Sequence, residues 1–230
     1  MTDKPMKPLL MCGPMVRAYM AGLKWCTRRV VVPQPEQDGD RFWWHGDWDT
    51  RGGPHAGVCT HGKPGNGEPT WTLKEIAEHA RYQPGDLCYI RERQRVIEVR
   101  RHHLIRVRYE ADGAESDWIE YPERCKWKPI VGKCLPYGGI RETARLFPPI
   151  TDTRAERLWD ITEEDAIAEG VAEGEWYDYV EHQQIGGVAL PYGIFETTFM
   201  CLWDSLNAAR GYPFYSNPCV FRYGLGKEEA

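Results

Sequence analysis

Residues 21–33 read Ala21-Gly22-Leu23-Lys24-Trp25-Cys26-Thr27-Arg28-Arg29-Val30-Val31-Val32-Pro33, and the order of residue types there sets the reading of the chain around them. Upstream, Pro14 followed by Met15-Val16-Arg17-Ala18-Tyr19-Met20-Ala21 predicts a short helix: proline in the first turn lacks only an N–H the helix does not use, and Gly22 supplies the stop. Downstream, Arg29-Val30-Val31-Val32 is β-branched and halted by Pro33, which predicts a strand with Thr27 near its start. A glycine-ended helix thus hands over to a strand and delivers Lys24, Thr27, Arg28 and Arg29 in one short segment. Side chains alternate on extended backbone, so Thr27 and Arg29 share a face and Arg28 points away. The expectation is Arg29 inward and Arg28 outward.

Further along, residues 33–70 are dense in Gly, Pro, Asp and His, with Trp43, Trp44 and Trp48 among them, which predicts a long irregular insertion. Its tryptophans either pack onto the fold or stack bases. Thr72–Ala80 reads as a short helix, and Gln83-Pro84-Gly85-Asp86 as a tight turn into a strand over Leu87–Ile90. Val96–Val99 and Leu104–Tyr109 predict a hairpin with a basic face, because Ile105, Val107 and Tyr109 alternate with Arg106 and Arg108. A second divergent, turn-rich insertion covers 110–139. A strand over Thr151–Leu158 follows, then a helix capped by Thr162 with Asp165 three residues on and ended at Glu169-Gly170. Thr197–Ala209 is a helix with Phe199 and Trp203 as core, and Pro218–Tyr223 is a closing strand. This order gives an α+β fold, a small mixed β-barrel with flanking helices and long loop insertions, in a single domain.

Composition bounds the function. Hydrophobic residues make up 42% of the 230 residues, with 10 Trp and 12 Tyr, which excludes a disordered chain. No apolar run approaches a membrane span, and MTDKPMKPLL lacks the core of an export signal, so a cytoplasmic setting without membrane contact is expected. The 8 cysteines then read as mostly reduced thiols. Cys59-Thr60-His61 with Cys125 and Cys134 matches no compact zinc knuckle, and neither metal nor cofactor is expected. A net charge of −5 argues against an indiscriminate polyanion coat. The charge is uneven, with arginines concentrated from Arg91 to Arg108 and carboxylates from Asp160 to Glu181. The arginines read either as a solvated face paired with the acidic region or as a phosphate-binding surface.

There is no GxGxxG, P-loop, HExxH or GxSxG. The chemistry-bearing group is Lys24, Thr27, Arg28 and Arg29: a potential base, a hydroxyl and two fixed cations. Ala21-Gly22-Leu23-Lys24 with Thr27-x-Arg29, then Gln83-Pro84-Gly85-Asp86, then Ile161–Val171 with its Glu169-Gly170 ending, and finally Leu202–Asn207 with Asn217-Pro218, occur in one order. In that order they resemble ASCH domains of the PUA-like superfamily, in a long form often carried by bacteriophages. Trp25-Cys26 and Arg93-Gln94 depart from the familiar pattern.

The resemblance implies a PUA-like barrel that binds a nucleotide, a modified nucleoside or nucleic acid in a cleft. It also implies an amidohydrolase activity of the kind that cleaves acetylcytidine, with Lys24, Thr27 and Glu169 as its catalytic residues and Arg29 as a supporting cation; Arg28, Arg91 and Arg93 are further candidate substrate-binding residues. A lysine taken out of water can serve as a base toward a hydroxyl or water, and a guanidinium suits an oxyanion or phosphate. A catalytically silent binding module, or a phage protein engaging a host protein partner, are the other readings.

Overall fold

A computed structural model of the chain describes residues 5–43, 70–100, 103–122, 125, 127–171 and 193–227, with the side chains of Tyr137 and Ile194 left aside. Trp44, Trp48, Cys59 and His61 lie outside the described residues, as does the acidic segment beyond Val171. In chain order the elements are β1 (Lys7–Leu10), α1 (Gly13–Met20), β2 (Cys26–Val30), β3 (Glu36–Asp38), β4 (Arg41–Trp43), α2 (Leu73–Glu78), β5 (Cys88–Arg91), β6 (Gln94–Arg100), β7 (Leu104–Tyr109), β8 (Ile119–Glu120), β9 (Ile150–Arg157), α3 (Glu163–Ala168), α4 (Ile194–Asn207) and β10 (Cys219–Leu225). The fold is mixed α+β. Among the described residues the strands form four small sheets and no closed barrel.

The chain divides into two compact units. The first comprises Met1–Gly22, Gly85–Pro149 and Gly226–Ala230; the second comprises Leu23–Pro84 and Ile150–Leu225.

In the first unit β1 pairs parallel with β5, Leu9 opposite Ile90, and β6, β7 and β8 form an antiparallel meander. The alternation of β7 holds: Ile105, Val107 and Tyr109 join Val96, Tyr121 and Leu135 in a buried cluster, while Arg106 and Arg108 face outward. Those arginines meet carboxylates of the same unit. Arg106 reaches Glu98 at 2.6 Å and Glu115 at 3.1 Å, Arg108 reaches Glu115 at 2.8 Å, and Arg95 reaches Glu110 at 2.8 Å. These pairs are with local carboxylates of the same unit. Arg145 clamps buried Glu92 at 2.8 Å and Asp112 at 2.8 Å, over the ring of Tyr109.

The second unit is built on the antiparallel sheet β2-β10-β9, in which Thr27 lies opposite Tyr223 and Tyr223 opposite Thr153. Phe199, Trp203, Phe214, Leu158, Val220 and Tyr223 are buried in it, so Phe199 and Trp203 are core residues as their spacing predicted. β3 and β4 pair as a hairpin at the start of the first insertion, and Trp43 there is buried. α2 starts with a full capping box: the Thr72 hydroxyl accepts from the Glu75 N–H at 3.3 Å, and the Glu75 carboxylate accepts from the Thr72 N–H at 2.7 Å, satisfying two otherwise orphaned donors.

Candidate functional site

The candidate site lies within the second unit, where β2 meets the C-terminal end of α3. α3 forms because Thr162 caps it, its hydroxyl accepting from Asp165 N–H at 3.2 Å. Glu163, Glu164 and Asp165 occupy its first turn, where carboxylates suit the helix dipole, and Ala166 and Ala168 bury its inner face. It ends where Gly170 takes φ 83°, a conformation that L side chains avoid. That stop places Glu169 at the C-cap, next to unsatisfied helix carbonyls and with a carboxylate on the unfavourable end of the dipole.

Lys24 answers both problems. Its Nζ donates to the Glu169 carbonyl at 2.8 Å and to Glu169 Oε2 at 2.7 Å. The backbone holds it there: Lys24 and Glu169 form a bridge, Trp25 N–H donates to the Ala168 carbonyl, and Leu225 N–H donates to the Trp25 carbonyl. Both side chains are buried, 2% and 6% exposed.

The even-numbered positions of the segment continue the row. Cys26 is fully buried; burial, and after it the charge of Glu169, push its thiol up to about 12, which favours the neutral thiol. Arg28 follows. Its Nε donates to Glu156 Oε1 at 2.7 Å and its Nη1 to Glu169 Oε1 at 3.3 Å. Its Nη2 makes an ion pair with Asp165 Oδ2 at 2.7 Å, outside hydrogen-bond alignment. Burial works against this charge, but Glu169 and Glu156 more than offset it, and the guanidinium's pKa is raised. The Phe199 ring lies under it, 5.8 Å from the centroid.

Across the sheet Arg28 stands opposite Arg222, and Arg222 opposite Arg154. Three adjacent arginines on one face repel. Asp165 compensates, contacting Arg28 at 2.7 Å, Arg222 at 3.0 Å and Arg154 at 3.4 Å, while Glu156 spans Arg28 and Arg154. Lys24 and the three arginines are balanced by Glu156, Asp165, Glu169 and the outer Asp152, which pairs with Arg222 at 3.3 Å.

The sequence-derived candidates therefore separate. Lys24, Glu169 and Arg28 come together. Thr27 and Arg29 do share a face, as alternation required, but it is the other face of β2, where Thr27 is buried opposite Tyr223. Arg28, expected outward, is buried, because the face that meets α3 is set by the register with Lys24; Arg29 is half-buried on the other face. Arg91 and Arg93 belong to the first unit. Arg91 Nε donates to the Gly139 carbonyl at 3.0 Å; Arg93 is exposed, its charge favoured first by Cys134 and then by Glu110.

Sequence reasoning missed Glu156, Asp165, Arg154 and Arg222 as parts of one array. The available signal was charge at alternate positions, Asp152-x-Arg154-x-Glu156, inside a predicted strand. Among the described residues no group of three or more metal-ligating side chains occurs, and no helix is long and apolar enough to cross a membrane. Compared with known proteins, the chain matches no family model, no curated protein and no solved structure.

Proposed function

We propose that this chain is a nucleotide- or nucleic-acid-recognising domain of the ASCH type, PUA-like in architecture, and that the Lys24–Glu169 pair marks its working site. One observation carries this reading: a lysine and a glutamate 145 positions apart meet at 2.7 Å with almost no solvent exposure. Replacing a buried ion pair by apolar residues is often neutral or stabilising, so stability alone gives little reason to keep one, whereas acid–base chemistry or ligand recognition does. The Lys comes from the opening motif and the Glu from the Glu-Gly helix ending, the two positions that the resemblance to ASCH domains links. Within one hydrogen bond, ammonium and carboxylate can exchange a proton, which is what amide hydrolysis on an acylated nucleobase asks of a base and its proton store.

The placement of Thr27 on the opposite face of β2 favours a second reading, in which the pair recognises a ligand without covalent chemistry by Thr27. Incubation with acetylcytidine and other acylated nucleosides, followed by mass change, separates the two. Turnover abolished by Lys24→Ala supports the hydrolase. Binding that survives Thr27→Ala with no turnover supports recognition alone. Absence of both turnover and binding across nucleosides and oligonucleotides would end the proposal.

A further inference from the structure

We infer that Arg28 is a positioning residue for Glu169, fixing the carboxylate that Lys24 uses; this rests on the reading of Lys24–Glu169 as the working pair. A carboxylate has two oxygens, and here each is held from one segment: Oε2 by Lys24, just ahead of β2, at 2.7 Å and Oε1 by Arg28 of β2 at 3.3 Å. Two anchors four positions apart on one segment fix the plane of the carboxylate as well as its location. Arg28 is itself immobilised from three directions, by Glu156 at 2.7 Å, by Asp165 at 2.7 Å and by the Phe199 ring, with its side chain 1% exposed. A guanidinium does not release its proton in proteins. Arg28 therefore holds Glu169 without joining any proton traffic. Each nitrogen of the Arg28 guanidinium already faces a carboxylate, Glu156, Glu169 or Asp165, so the substrate-binding role expected from sequence becomes a supporting one. Arg28→Lys keeps a charge but loses the planar fork that meets three carboxylates together.

The test is the 1H–15N resonance of the Lys24 ammonium, whose burial slows proton exchange, assigned by its absence in Lys24→Arg. It is recorded in wild type, Arg28→Lys, Arg28→Met and Arg154→Met, the last removing an arginine that does not contact Glu169. Arg28→Lys and Arg28→Met shift the signal or lose it through faster exchange, while Arg154→Met leaves it in place. Arg28→Lys reports even where Arg28→Met unfolds. A folded Arg28→Lys with an unchanged Lys24 signal overturns the inference. On a nucleoside that wild type turns over, Arg28→Lys lowers kcat about 100-fold through misplacement with KM unchanged; a rise in KM at constant kcat overturns it as well. Absence of turnover by wild type counts against the hydrolase reading alone, since the ammonium signal needs no substrate.

Discussion

Lys24 donates twice to Glu169, once to the side chain and once to the backbone carbonyl of the same residue. One ammonium thereby closes the C-terminal end of α3 and pairs the carboxylate that the helix end disfavours. Both contacts satisfy an ammonium that has almost no exposure.

Lys24→Met leaves Glu169 with Arg28 at 3.3 Å and an unclosed helix end. Breaking a buried pair from one side costs about 3–5 kcal/mol, so urea unfolding should show a loss of that order. Lys24→Met/Glu169→Leu should be more stable than Lys24→Met alone. A double variant that stays about 3–5 kcal/mol below wild type would mean that the pair is retained for stability and would remove the main support for a functional site.

Asp165→Asn removes the carboxylate shared by Arg28, Arg222 and Arg154. The expected loss is again about 3–5 kcal/mol. Part of it should return as salt rises toward about 1 M, where the Debye length is about 3 Å, because Arg154 is half-exposed. Equal salt dependence in wild type and variant would show that repulsion along the arginine row is not what Asp165 offsets.

Arg145→Met and Arg108→Met should differ sharply. Arg145 partners Glu92, whose side chain is 2% exposed, so its loss strands a buried carboxylate at about 3–5 kcal/mol. The Arg108–Glu115 pair is exposed on both sides and is worth about 0–1 kcal/mol. Thermal unfolding of the two variants checks the contrast, and similar shifts would contradict it.

Burial raises the thiols of Cys26 and Cys219 from 9.0 to about 12. A raised folded-state pKa means that the native state keeps protons the unfolded chain has lost. The stability involved is therefore fully present below pH 9 and falls as pH rises toward 12. Unfolding midpoints measured from pH 8 to 11 should decline, less steeply in Cys219→Ala than in wild type. Below pH 9 a thiol reagent should modify half-exposed Cys12 and Cys134 well before Cys26 and Cys219; prompt labelling of Cys26 in native protein would contradict its burial.

Local signals in the sequence located most elements because they are written in adjacent residues: Pro14 and Gly22 bracket α1, Thr162 and Gly170 bracket α3, and Ile105, Val107 and Tyr109 mark the buried face of β7. Lys24 and Glu169 were also recognisable as a pair through the motifs that contain them. The choice of face on β2 was not legible, because alternation fixes which residues travel together but leaves open which side meets α3. Arg28, Arg222 and Arg154 lie on three different strands, and their alignment depends on a register that β2, β10 and β9 acquire only on pairing. The partners of Arg106 and Arg108 depended likewise on how β6 and β7 pair and on the turn that brings Glu115 alongside.

The central claim is that the Lys24–Glu169 pair serves a nucleotide ligand. Its most direct test is incubation of wild type, Lys24→Ala and the structural control Arg145→Lys with acylated nucleosides, following loss of the acyl mass and, in parallel, nucleoside binding. Activity or binding in wild type and the control but not in Lys24→Ala is the predicted result. Equal activity and binding in folded Lys24→Ala would contradict the account.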